Sequence, residues 1–321
     1  MKTLLPILFL LCGIASAEDL TCLSEKERAT SALYPHLQQE AYAALDKRQV
    51  ALGKLETPDD IRAYQKRLRE FFIKQLGGFP ERTPLNAKTT GIIQVDGYRI
   101  EKVIYESVPG HHITANLYLP EGKGPFPAVV VASGHSRTGK VADYNQRYAI
   151  IMAQHGMAAL AFDPIGQGER SQNLDEQGQP TFKGTTTEHF LMGVGSTLVG
   201  RNTARYRIWD AMRSIDYLVS RPEIDAKKIG MTGCSGGGTL TSYTMALDDR
   251  VACAAPSCYL TTFRRLIETI GPQDAEQNIF GQIAYGLDHP DYVILRAPRP
   301  TLIVTTTDDF FDIEIKFWVF N

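Results

Sequence analysis

Lys228-Ile229-Gly230-Met231-Thr232-Gly233-Cys234-Ser235-Gly236-Gly237-Gly238-Thr239 decides how the rest of the chain is read. Lys228 to Thr232 is a short apolar run of strand type, and a helical stretch follows from Gly237 to Ala246. Between them lies Gly233-Cys234-Ser235-Gly236-Gly237, a G-x-S-x-G held between a strand and a helix, the setting of a nucleophile elbow. Such a turn forces its serine into a strained backbone conformation. Gly233 and Gly237 let the neighbouring backbone pass without a Cβ clash. Ser235 is then expected to stand above a sheet at a helix N-terminus. There the Gly236 N–H can face a developing oxyanion, within the positive end of the helix dipole. The same spacing, taken alone, also fits a glycine-rich turn without function.

The flanking sequence supplies the sheet. Pro125 to Gly134 (PFPAVVVASG), Met157 to Phe162, Val251 to Ala255 and Pro300 to Thr305 are further short apolar runs bounded by turn residues, as buried parallel strands require. Helical stretches at Tyr144 to His155 and Tyr206 to Ser220 lie between them. Strand alternating with helix implies βαβ units and helices on both faces of a parallel sheet. Residues 91–119 instead alternate in hydrophobicity, with turns at Gly97 and Pro109-Gly110, so antiparallel strands precede the parallel ones. Residues 23–76 are helical in pattern. Thr57-Pro58-Asp59-Asp60 starts a helix that Gly77-Gly78-Phe79-Pro80 stops. The expected fold is α/β: a mostly parallel sheet with antiparallel N-terminal strands. A helical segment over 18–85 precedes an α/β domain over 86–321. Residues 171–205, rich in Gly, Thr and Gln, exceed an ordinary connection and are expected to form a lid or loop insertion.

Composition narrows the function. The 321 residues carry 34 Lys+Arg and 36 Asp+Glu, and hydrophobic residues make up 43%, so disordered and fibrous classes are excluded. A net charge of −2 gives no basic face for nucleic acid. Met1 to Ala17 (MKTLLPILFLLCGIASA) has a basic Lys2, an apolar stretch and an Ala15-Ser16-Ala17 cleavage site, the pattern of a signal peptide. Its apolar run is far short of the ~20 residues of a spanning helix, and no other segment spans a membrane. The expected location is secreted or periplasmic. Cys22, Cys234, Cys253 and Cys258 remain after cleavage. A Cys234–Cys258 bridge and two buried thiols are equally open readings in an exporting compartment. No CxxC and no Cys/His cluster has zinc spacing, so neither a metal nor another cofactor is expected.

Three further stretches end strands at the edge where ligands bind in open α/β sheets. Ser133-Gly134-His135-Ser136 follows the first parallel strand, where a second oxyanion donor belongs. The backbone N–H of His135 or Ser136 is the candidate, and the imidazole is not. Asp163 and Arg170, in Asp163-Pro164-Ile165-Gly166-Gln167-Gly168-Glu169-Arg170, either touch substrate or form an internal turn pair. His189, in the 171–205 excursion, is a third substrate-side candidate.

Together these residues resemble the α/β-hydrolase superfamily. They are most similar to bacterial secreted acetyl xylan esterase-like hydrolases, related to the dienelactone hydrolase and prolyl oligopeptidase groups. The matching stretches are GGFPERTPLN, SGHSRTGK, FDPIGQGER, WDAMRSIDYLVSRPEID, GCSGGGTLTSY and RAPRPTLIVTTTDDFFDIE, from about residue 77 to 314. The resemblance implies a Ser–Asp/Glu–His triad in that chain order. The acid follows the late strand at 300–307, and Asp309, before Phe310-Phe311, fits the position better than Asp308. The histidine should come after the acid, yet the seven histidines are 36, 111, 112, 135, 155, 189 and 289. The chain as written is therefore expected to be C-terminally incomplete and impaired, since serine needs an adjacent base. His189 and His289 are the histidines to test as a replacement, although a structural or substrate-side role is the favoured reading of both, while His111-His112 is expected at an exposed hairpin turn. The implied function is ester hydrolysis, with a small-molecule or polysaccharide ester such as acetylated xylan as substrate. A prolyl oligopeptidase-like peptidase and a catalytically dead saccharide-binding homologue are the alternatives.

Overall fold

A computed structural model describes residues 21–306 and 309, apart from 31, 183 and 270–272. The signal-type segment and Asp308 lie outside the described residues. In chain order the helices begin with α1 (Glu25–Thr30), α2 (Leu33–Leu52) and α3 (Pro58–Leu76). Strands β1 (Lys88–Val95), β2 (Tyr98–Val108), β3 (His111–Pro120) and β4 (Phe126–Ala132) follow. Then come α4 (Asp143–Gln154), β5 (Ala158–Phe162), α5 (Thr185–Leu198), α6 (Thr203–Val219), β6 (Ile224–Cys234) and α7 (Gly236–Leu247). The last elements are β7 (Val251–Ser257), α8 (Phe263–Thr269), α9 (Gln282–Tyr285) and α10 (His289–Ile294). Contacts divide the chain into one unit up to Glu40 and a second from Ala41 onward. Helix α3 belongs to the second unit, with the sheet.

The seven strands form one sheet in the order β1-β2-β3-β5-β4-β6-β7. β1, β2 and β3 are antiparallel neighbours, and β3 also runs antiparallel to β5. From β5 through β4 and β6 to β7 every pairing is parallel. The segment expected as a last strand is irregular. Thr301 and Val304 make isolated parallel bridges to Ala254 and Ser257 of β7, and Val304 N donates to Pro256 O at 3.1 Å.

Alternation along β4 shows both faces covered, as expected of a strand buried on two sides. Ala128, Val130 and Ala132 join the large core that includes Leu68 and Phe72 of α3, Ile208 of α6 and Tyr243 of α7. Val129 and Val131 face the smaller core with Ala149 and Ala153 of α4. α3 starts where the sequence places it. Thr57 and Asp60 form a reciprocal capping box, and Gly77 closes the helix at φ 81°. Buried Arg48 of α2 donates to both oxygens of Asp291 on α10, at 2.6 and 2.8 Å, and Tyr64 of α3 donates to the same carboxylate at 2.8 Å. One carboxylate thus ties three helices together.

The excursion between β5 and α6 is more ordered than its composition suggests. It contains the 14-residue helix α5, which leaves Phe190, Leu191, Val194 and Leu198 exposed.

Candidate active site

The G-x-S-x-G turn joins β6 to α7 at the C-terminal edge of the sheet. Ser235 has φ 56° and ψ −120°, a conformation that non-glycine residues adopt only under constraint. The constraint is visible. Ser235 N donates to Ser257 O of the adjacent strand at 3.0 Å, and Ser235 O accepts from Thr239 N at 2.9 Å. A Cβ on either Gly233 or Gly237 would collide with Ala132 O of β4, so only glycine lets the three backbones approach. Ser235 itself is half-buried, and Gly236 opens α7, whose first N–H groups have no intrahelical acceptor. A polarised carbonyl oxygen placed there meets the positive end of a 12-residue helix.

The loop after β4 lies beside the elbow, with His135 and Ser136 half-buried. Buried Gln167 clamps it, donating from Nε2 to Gly134 O at 2.7 Å and to Ser136 O at 3.0 Å. Gln167 lies between Asp163 and Arg170, where nothing in the sequence marks it out. Its amide is distinguishable only once the two carbonyls are placed.

Asp163 and Arg170 are turned inward. The Asp163 carboxylate accepts from Lys140 N (2.8 Å), Lys140 Nζ (2.5 Å) and Thr114 Oγ1 (2.7 Å). Arg170 donates to Asp163 O and to Asp210 Oδ2, each at 2.8 Å, and to His111 Nε2 at 2.7 Å. Their exposures are 0% and 4%, so they brace the loop above β5 and do not face an open cleft. The side chains do not pair with each other directly, because Arg170 reaches the backbone of Asp163. His111 departs from the exposed turn expected for it. Its ring is half-buried against Arg170, and burial lowers its pKa.

His189 is fully buried and belongs to a cluster that sequence spacing did not reveal. His135 of the β4 loop, His189 of α5 and Asp274 and Glu276 of the turn before α9 bring four potential ligand atoms within 4.8 Å of one another. Buried Arg207 of α6 contacts the Glu276 carboxylate and donates to Gly236 O at 3.4 Å, linking the cluster to the elbow. Burial, with help from Arg207 and His135, lowers the His189 pKa to about 3, so its ring is neutral. His289 is equally neutral at about 3. It is enclosed by Tyr259, Phe263 and Tyr292, and its Nδ1 accepts from Thr261 N at 3.2 Å. None of the seven histidines hydrogen-bonds Ser235 Oγ among the described residues, so neither His189 nor His289 stands as a base for it.

Two thiols and a carboxyl border the elbow. Cys234 and Cys258 are free, with no S–S bond between them. The Cys258 thiol is pushed up to about 12 by burial, then by Cys234 and by a contact with Asp309. Asp309 therefore lies at this edge of the sheet, half-buried, where it also accepts from Thr306 Oγ1 at 3.1 Å.

A strained serine between a parallel strand and a helix, on a sheet of this order, defines an α/β-hydrolase. The family model for acetyl xylan esterase (AXE1) matches residues 41–285, and the chain belongs to that family of carboxylic ester hydrolases. A Bacillus subtilis (strain 168) protein named as a hydrolase, YtaP, is 25% identical over 257 residues, which is 75% of this chain and 80% of that one. Among solved structures, a Bacteroides fragilis NCTC 9343 protein described as an acetyl xylan esterase aligns with TM-score 0.66 and 20% identity, over 78% of this chain and 69% of its own. A glucuronoyl esterase from Solibacter usitatus aligns with TM-score 0.54 and 16% identity, over 77% and 75%.

Proposed function

We propose that the protein is an exported serine esterase that removes acetyl or similar acyl groups from a polysaccharide such as xylan. Ser235 is the nucleophile. Its Oγ attacks the ester carbonyl carbon, and the carbonyl oxygen takes negative charge. The N–H of Gly236 and that of His135 or Ser136 hold this charge, with Gln167 fixing the second donor's loop. Collapse breaks the bond to the sugar oxygen, which leaves with the proton that Ser235 Oγ gave up, and water then hydrolyses the acyl-serine, one of its protons returning to Oγ and its hydroxyl leaving with the acid. Asp309 is the acid of the triad. Among the described residues no histidine is hydrogen-bonded to Ser235 Oγ, and in that arrangement turnover rests on the oxyanion donors and binding, which sustain only a residual rate.

The observation that carries this reading is the serine at φ 56°, half-buried, on the β6–α7 turn. The family match supports hydrolysis of a carboxylic ester. The polysaccharide preference rests on the names of the family and its structural relatives. Acetate release from acetylated xylan, compared between the native chain and Ser235→Ala, tests the reading. Loss of all release in the variant is expected. Equal release from both, or cleavage of a prolyl peptide and no ester, overturns it. N-terminal sequencing of the exported protein is expected to begin near Glu18.

A further inference from the structure

The cluster of His135, His189, Asp274 and Glu276 has too few protons for its own contacts. His135 Nε2 lies 2.8 Å from Asp274 Oδ2, 3.1 Å from Glu276 Oε1 and 3.2 Å from His189 Nδ1. A single N–H serves one of these neighbours; with that proton on Asp274 and Arg207 donating to Glu276 Oε1, the His189 Nδ1 still faces it without one. The His189 Nε2 is 2.9 Å from Ile165 O, a backbone acceptor that requires the N–H there. With that nitrogen engaged, the Nδ1 is the ring atom turned to Glu276 Oε2, at 3.2 Å. That oxygen has no hydrogen-bond partner, and Glu276 is 2% exposed. An unpaired carboxylate oxygen at this depth is costly, and it lies in a group of four potential ligand atoms all within 4.8 Å of one another.

We propose that His135 Nε2, His189 Nδ1, Asp274 Oδ2 and Glu276 Oε2 form a site for a divalent transition-metal ion, zinc by preference. Two imidazoles with two carboxylates are a borderline donor set, suited to zinc and too nitrogen-rich for calcium or magnesium. A tetrahedral zinc with bonds of about 2.0–2.2 Å spaces its ligands about 3.3–3.6 Å apart. The three short contacts of 2.8 to 3.2 Å open by a few tenths of an ångström on average, and the remaining pairs, within 4.8 Å, draw in by up to roughly an ångström. The outer shell is already built. The Ile165 carbonyl fixes the His189 tautomer, as backbone carbonyls do for metal-bound histidines, and Arg207 holds Glu276. The ion binds as a structural clamp. It joins the β4 loop, α5 and the turn before α9, and presses the His135 ring toward Gly236, where a Cβ would come within 2.7 Å of the ring. The sequence hides this site because its ligands come from three separated stretches.

Untagged protein, stripped with chelator and dialysed against zinc, tests the assignment by metal content and by calorimetric titration. One equivalent per chain is expected. Cobalt(II) in its place is expected to give the intense visible bands of a four-coordinate ion. Glu276→Gln and Asp274→Asn, both nearly isosteric, are expected to weaken zinc binding by at least about tenfold while keeping the native circular dichroism. Thermal scans of the stripped native chain are expected to rise on adding zinc, independently of any variant. Substoichiometric zinc, a six-coordinate cobalt spectrum, or equal zinc binding by native and variant chains overturns the proposal, the last by showing adventitious binding only. These readouts do not use catalysis, so they stand whether or not Ser235 is the nucleophile.

Discussion

At the scale of the residue, the elbow depends on what is missing from its glycines. A methyl at Gly237 enters the space of Ala132 O, with no flexible side chain to yield. Gly237→Ala is therefore expected to lose about 1–3 kcal/mol of stability by overpacking, read as a lower urea midpoint. An unchanged midpoint would show that β4 and α7 can separate. The serine's chemistry is limited by its partners. Since no histidine is bonded to Ser235 Oγ among the described residues, added imidazole is expected to act as an external base. It should accelerate p-nitrophenyl acetate hydrolysis by the 321-residue chain and leave Ser235→Ala unaffected. A Ser235-dependent rate indifferent to imidazole would mean that an internal base is at work. The serine was legible in the sequence because its evidence is local: five residues between a strand and a helix. The burial of Asp163 and Arg170 was not. Their partners Lys140, Thr114, Asp210 and His111 come from β3, α6 and the loop before α4.

Among the elements, loops carry the site and the sheet aims them. The β4 loop is held by Gln167 from the β5 loop, through two carbonyls flanking His135. Gln167→Ala frees both. It is expected to lower kcat for an acetyl ester about tenfold or more with a smaller change in KM, because the second oxyanion donor loses its place. A variant with native kcat would separate this loop from the chemistry. Strands β1 to β7 and helices α3, α4, α6 and α7 were legible because their periodicities are clean. α5 was not: Gly193, Gly195 and a run of threonines have weak helix propensity, and tertiary contacts with α6 set its conformation. The final parallel segment was anticipated as a strand, yet it pairs with β7 only at Thr301 and Val304.

For the whole molecule, stability rests on a two-faced sheet and on a few buried polar ties. Asp291 joins α2, α3 and α10 through Arg48 and Tyr64 with both partners buried. Removing the carboxylate strands a buried guanidinium, so Asp291→Ala is expected to cost about 3–5 kcal/mol in denaturant unfolding. A cost under about 1 kcal/mol, as for a surface pair, would contradict this. Acid sensitivity follows from His289, fully buried with its pKa lowered from 6.5 to about 3. Above pH 6.5 its ring is neutral in both states and its contribution is complete. As pH falls from 6.5 toward 3, the unfolded chain takes up a proton that the folded chain refuses. Stability should then drop by up to about 1.4 kcal/mol per pH unit from this group. His289→Phe is expected to show a shallower decline in urea midpoint with acid, and an identical slope would assign the effect elsewhere. The central claim, a serine esterase built on the β6–α7 elbow, is tested most directly by fluorophosphonate labelling with imidazole present, read by intact mass and peptide mapping. A single adduct on Ser235 that Ser235→Ala abolishes is expected. An adduct on another residue, or an unmodified Ser235, would contradict it.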